Sequence, residues 1–198
     1  MNRHMETGKT ERIGGAALSR DSGARCEAML PDAKGHLIFW SILTFGLLLD
    51  LWTKRAVFAW LENEPGQSAQ ILGRFLTFHL ALNTGAAFGI FHGRHLFLVA
   101  VAAIALLIIL GVFLFGRTHQ RIVQAALGLF GAGVSGNLWD RVVHNGQVRD
   151  FIDVMYWPGR HWHTFNVADA MLCIAVVLLV AATLFTDWSC RRHAPPHR

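Results

Sequence analysis

The chain reads as an all-α membrane protein, with four transmembrane helices and a small extracytoplasmic β-sheet lying on the membrane. Three observations predict this. Of the 198 residues 53% are hydrophobic and 16% charged, too apolar a balance for an ordinary soluble domain of this size. Four stretches approach the roughly 20 residues that a helix needs to cross the hydrocarbon core. Polar residues interrupt them at one end only, and ionisable groups at such depth occur mainly where they pair or line a working cavity.

Residues 1–36 are polar and rich in Gly, Ser, Arg and Ala without hydrophobic periodicity, which predicts a disordered cytoplasmic extension. The apolar run that follows starts too late and runs too long for a cleaved signal peptide, so the first span, 37–60, stays in the protein, interrupted by Asp50, Lys54 and Arg55. Next, Leu76, Phe78, Leu80 and Leu82 alternate with Thr77 and His79. That period of two predicts a strand, closed by a turn at Asn83, Thr84 and Gly85. The second span is 96–115. The third, 122–139, carries Gly128, Ala132 and Gly136 at four-residue spacing, with Gly131 and Gly133 beside them, and small faces let membrane helices approach closely; Gly128 and Gly131 read as packing positions. The connection 144–164 is aromatic and suits a segment resting in the headgroup layer. A fourth span, 167–185, completes a single four-helix transmembrane domain over 37–186, and 187–198 reads as a cytoplasmic tail.

The net charge of +5 does not point to nucleic acid, because the Lys and Arg residues cluster beside the spans and in the tails, where they set orientation. The short stretch 116–121 holds two arginines and no acid, so it belongs inside, and with it both termini. Four antiparallel spans then bring the end of the first, the end of the third and the start of the fourth to the outer face. Trp52, Trp60, Trp139, Trp157 and Trp162 fall near that level, and Trp40 and Trp188 near the other, as interfacial belts do. Cys26, Cys173 and Cys190 are scattered and odd in number, giving neither a disulfide framework nor metal-ligand spacing.

Residues three or four apart share a helix face. Asp50 and Lys54 form one such pair, Asn137 with Asp140 and Arg141 another, and Asn166 with Asp169 a third. Asp50 with Lys54 reads first as an ion pair, and Asp140 with Arg141 as an anchor, with Asn137 supplying interhelical hydrogen bonds. Asp150 and Asp169 differ. Neither has a cation fixed by helix spacing, although Arg149 adjoins Asp150, and two under-neutralised carboxylates on separate elements have the character of an acid and base pair. If 150–153 is helical, one of Asp150 and Asp153 faces inward while the other meets solvent.

Five motifs stand in order: Asp50-Leu-Trp-Thr-Lys54, Asn83-Thr-Gly-Ala-Ala-Phe-Gly89, Gly133-Val-Ser-Gly-Asn-Leu-Trp-Asp-Arg141, Val148-Arg-Asp-Phe-Ile-Asp153 and Phe165-Asn-Val-Ala-Asp-Ala170. In these the chain resembles the lipoprotein signal peptidases, also called type II signal peptidases, over about residues 36–186. The resemblance implies a metal-free, cofactor-free aspartic endopeptidase of the bacterial inner membrane, active at the outer face, with Asp150 and Asp169 as the catalytic pair. It implies that Asn83, Gly85, Gly133, Asn137, Arg141, Asn166 and Ala168 line or support the substrate-binding pocket, and that Asp50, Lys54 and Asp140 hold its frame. The implied partners are membrane lipid and prolipoproteins whose signal peptide ends before a diacylglyceryl-modified cysteine; a monomer suffices. Arg149, where an apolar residue is common, the stretch 144–146 and the pair His163-Thr164 depart from the usual pattern.

Two rival classes are weaker. A proton-coupled transporter calls for ionisable groups at several depths, yet 96–116 and 171–185 contain none. A metalloprotease calls for clustered ligands, and no His-Glu-x-x-His motif is present.

Overall fold

The computed structural model describes residues 31–85, 91, 93–116 and 120–192. Four helices, α1 (Ala33–Leu61), α2 (His95–Phe115), α3 (Arg121–Val143) and α4 (Val167–Arg192), are each long and apolar enough to cross a membrane. Between them stand four short strands, β1 (Ser68–Leu72), β2 (Leu76–Asn83), β3 (Val148–Trp157) and β4 (Arg160–His161), forming an antiparallel sheet in the order β1-β2-β3-β4. The helix α1 begins four residues ahead of the expected 37, because Asp32 caps it by accepting from Gly35 N at 3.0 Å. The rest of the expected extension, 1–30, lies outside the described residues. At the other end α4 continues into 187–192, where a tail was expected.

α3 is the centre of the bundle. Its span is the least apolar of the four, with a mean hydropathy of 1.2, and the most buried, at 56% against 17–22% for the others. Small residues explain both numbers. A methyl added to Gly128 would lie 2.9 Å from the Phe39 carbonyl oxygen of α1, one on Gly131 2.9 Å from Leu43, and one on Gly133 2.7 Å from the Ala168 carbonyl oxygen of α4. The glycines of α3 therefore admit α1 on one side and α4 on the other, which confirms Gly128 and Gly131 as packing positions. α2 closes the bundle through a ring stack of Phe39 on Phe113, centroids 3.9 Å apart, over Ile109, Leu127 and Val134. At the same end of the bundle, Arg121 of α3 grips the Asp32 carboxylate with both guanidinium nitrogens and holds that acid well below the usual carboxylate range.

The strand expected over 76–83 is β2. The connection 144–164, expected in the headgroup layer, forms β3 and β4, with β3 pairing β2 in the register Thr77 with Asp153 and Ala81 with Asp150. β1 was not anticipated: it is an exposed edge strand of five residues with no alternation of burial. Chain reversal from α3 into β3 uses two consecutive left-handed residues, Asn145 (φ 53°) and Gly146 (φ 85°), with Gly146 N donating to Arg141 O at 2.8 Å. Gly146 has no room for a Cβ, which would collide with His95 of α2. This tight return brings β3 back over the end of α3.

Because Gly128 meets backbone of α1, Gly128→Val forces α1 and α3 apart, at a cost of about 1–3 kcal/mol typical of overpacking. A lower thermal unfolding midpoint of the detergent-solubilised protein checks this, with the 66% exposed Val177 as control: Val177→Ala leaves the midpoint in place.

Candidate active site

The frame is a buried set of charges. Lys54 Nζ lies 2.8 Å from Asp50 Oδ2 and 3.3 Å from Asp140 Oδ2, all three side chains fully buried. Asp140 also accepts from the Arg149 guanidinium, at 2.7 Å from Nη2 and 3.2 Å from Nε, and from Arg149 N at 3.0 Å. Two acids and two bases thus balance out of water, as buried charge must. The set also joins the elements: Asp50 Oδ1 accepts from Ala168 N of α4 at 2.8 Å, so α1, α3, β3 and α4 meet on it. The expected Asp50–Lys54 pair is present. Asp140 is not paired with its neighbour Arg141, which turns the other way and donates to Gly85 O at 3.0 Å and Asn137 O at 3.3 Å.

Above this frame, three asparagines hold two carboxylates. Asn166 caps α4: its Oδ1 accepts from Asp169 N at 3.0 Å, while Asp169 Oδ2 accepts from Asn166 N at 3.2 Å. This reciprocal capping box is what the three-residue spacing encodes, and it fixes Asp169 on the first turn of α4. Lys54 Nζ donates to Asn137 Oδ1 at 3.0 Å, which orients the amide so that Asn137 Nδ2 donates to Asp169 Oδ1 at 2.8 Å. Asn166 Nδ2 reaches Asp150 Oδ1 at 2.6 Å and Asn137 Oδ1 at 3.1 Å. Asn83, its Oδ1 held by Gly85 N at 2.9 Å, donates through Nδ2 to Asp150 Oδ2 at 3.1 Å. Asp150 and Asp169 are therefore bridged through Asn166, each held by neutral donors and neither by a cation.

Asp150 is 2% exposed. Burial first, then the negative charge of Asp169, push its carboxyl up to about 6, against the pull of the Asn83 and Asn166 amides. Two adjacent carboxyls of this kind can share a proton, one giving while the other takes.

Both carboxylates border a cavity of about 640 Å³ that Asn83, Asn137 and Arg141 also line. Arg141 Nε is buried there without a partner among the described residues. Of the other residues expected at the pocket, Gly85 braces Arg141, while Gly133, Asn166 and Ala168 stand behind the wall, as helix contact, bridge and donor to Asp50. Sequence reasoning missed the rest of the lining: Val148, residues 162–165 and the α4 face of Leu172, Cys173 and Ile174. The i, i+3 and i, i+4 spacing from Asp169 could have identified Leu172 and Cys173. Nothing in the local pattern marks 162–165. Among the described residues no group of three His, Cys, Asp or Glu side chains has metal-binding geometry.

Comparison with known proteins agrees with this architecture. The family model for signal peptidase (SPase) II matches residues 42–185. The lipoprotein signal peptidase of Geobacter metallireducens is 38% identical over 147 residues, 73% of this chain and 88% of that one. That of Clostridium tetani is 32% identical over 146 residues, 74% of this chain and 92% of that one. A bacterial membrane enzyme solved by the in meso method at 2.3 Å superposes with a TM-score of 0.69 at 30% identity, covering 85% of this chain and 99% of that one. With a family match across the four helices and both carboxylates in one cavity, the chain belongs to the signal peptidase II family, the A8 aspartic peptidases.

Proposed function

We propose that Asp150 and Asp169 are the catalytic pair with which this enzyme processes prolipoproteins, cutting just before a cysteine that carries a diacylglyceryl thioether. The observation that carries this reading is their linkage: two carboxylates from β3 and α4, both held by Asn166 and neither in an ion pair among the described residues, on one cavity. In the reaction Asp169, at the positive end of α4, takes a proton from water as its oxygen attacks the scissile carbonyl carbon. Asp150 holds the other proton, polarises the carbonyl oxygen, and the C–N bond breaks with proton delivery to the leaving amine. Asn137 and Asn166 keep the two carboxylates in register throughout.

The cavity wall of Phe165, Leu172 and Ile174 is apolar and suits a signal helix and acyl chains arriving sideways from lipid. The spare Nε of Arg141 suits a peptide carbonyl near the lipidated cysteine. In the bilayer, both termini are cytoplasmic, the sheet lies on the outer surface, and the site opens at the outer face of the bacterial inner membrane. A monomer suffices, because one chain supplies both carboxylates and the asparagines that hold them.

Asp150→Asn and Asp169→Asn each leave a folded membrane protein that cleaves at least about 10²-fold more slowly, the scale of lost general acid–base catalysis. Asp187→Asn, at the far end of α4, cleaves normally. A gel shift of a lipidated precursor incubated with purified protein reads this, and normal cleavage by either pair variant rejects the assignment. The raised Asp150 gives a second test. Its proton is present below the raised value and lost as pH rises through about 6, so kcat/KM falls on that alkaline limb. Bound substrate excludes more water and moves the kcat limb higher. Asn83→Ala removes a bond that favours the ionised form and shifts the kcat/KM limb upward; a limb at the same pH in wild type and variant overturns this coupling.

A further inference from the structure

A second cavity, of about 470 Å³, touches the same carboxylate. It shares Asn83, Asp150 and residues 162–164 with the first, but its remaining walls differ in character. Where the first continues onto the apolar face of α4, the second continues onto His79, Thr84, Asp153 and His161, and eight of its eleven lining residues carry polar side chains. Asp169 borders the first cavity and not the second.

The register explains why Asp150 is reachable from this side. Its partner on β2 is Ala81, which lines the second cavity beside it, and the pairing is interrupted by an irregularity between Phe78 and Ala81. A polar clasp holds the wall. His161 Nδ1 lies 2.9 Å from both Asp153 oxygens, His79 Nδ1 lies 3.8 Å from Asp153, and His79 Nε2 lies 3.3 Å from Thr164 Oγ1. These contacts tie 161–164 to β2 and β3. The imidazoles are 35% and 48% exposed, so the clasp faces solvent.

Resting on the reading of Asp150 and Asp169 as the hydrolytic pair, we infer that this polar cavity is a water-binding vestibule that feeds the reaction from the aqueous side. Each cut consumes one water. A peptide with its lipid filling the apolar cavity excludes water from that direction, whereas the polar cavity reaches Asp150 without crossing the substrate. Ordered water needs two to four polar partners, and the Asp150, Asn83 and Thr164 oxygens that line the cavity have lone pairs to supply them. The two cavities thus divide the work: one holds the acyl peptide and the other the second reactant.

The division is tested by blocking each side separately. Both proteins carry Cys26→Ser and Cys190→Ser in lipid nanodiscs; one keeps Cys173 on the apolar cavity, and the other has Cys173→Ala with His161→Cys on the polar one. Each is compared with itself before labelling. A charged trimethylammonium methanethiosulfonate on the cysteine at 161 lowers kcat at least about tenfold with KM unchanged, whereas a maleimide on Cys173 raises KM. An unchanged kcat at 161, or a raised KM there, overturns the vestibule. Ala81→Leu, which fills the space beside Asp150 without a label, lowers kcat in the same way, and a kcat within about twofold of wild type overturns it. Full cleavage by Asp150→Asn removes the catalytic pair itself; an inactive Asp150→Asn with an indifferent label at 161 removes only the vestibule.

Discussion

The buried charge set of Asp50, Lys54, Asp140 and Arg149 is the constraint on which the rest of the structure hangs. Isolated, any one of these groups would be untenable out of water. Together they are neutral, and their geometry forces α1, α3, β3 and the start of α4 to a common point. Removing one member strands its partner, at a cost of roughly 3–5 kcal/mol, so the set fixes position even if its net contribution to stability is small. It also reaches upward. Lys54 presents its third proton to Asn137 and thereby decides which face of that amide meets Asp169.

That arrangement separates two jobs that charged residues often combine. Lys54 and Arg149 sit below and are spent on Asp50 and Asp140. The carboxylates above are held by amides, which position without neutralising. A direct ammonium or guanidinium on Asp150 would favour its ionised form and remove the proton that acid catalysis needs. Neutral donors from Asn83 and Asn166 leave burial and the second carboxylate in control. Asn166 serves both sides at once, capping α4 with its oxygen, holding Asp150 with its amide nitrogen and Asp169 with its backbone nitrogen.

Much of this was legible before any coordinates, for physical reasons that differ by element. The spans are long apolar runs, and the alternation over 76–83 is that of a strand with two unlike faces, so both could be read directly. The Asn166–Asp169 spacing is that of a helix cap, and Asp50–Lys54 that of an ion pair. β1 was illegible because an exposed edge strand needs no pattern. β3 was obscured because its aromatic residues suit the membrane interface as well as a sheet, and pairing with β2 decided the matter. Asp140 with its neighbour Arg141 read as an anchor, whereas the guanidinium that reaches Asp140 is Arg149, nine residues on and across a turn. Pattern alone gave Asp150 and Asp169 the character of an acid and base pair, and the family resemblance supplied the catalytic roles proposed for them. The contacts of His79 on β2 and His161 on β4 with Asp153 on β3 join separate stretches of chain, and no local pattern announces them.

The modest hydropathy of α3 bears on how the protein is made. Synthesis delivers α1 and α2 first, and α3 then meets lipid with glycine, asparagine and aspartate along its flank, a poor candidate for stable insertion alone. Lys54 is already waiting on α1, held by Asp50, to receive Asp140 and Asn137, but the flank that packs Gly133 against Ala168 stays bare until α4 emerges. A chain arrested before its last helix would therefore leave that flank, and the Asp50 oxygen that Ala168 N otherwise occupies, open to the acyl phase.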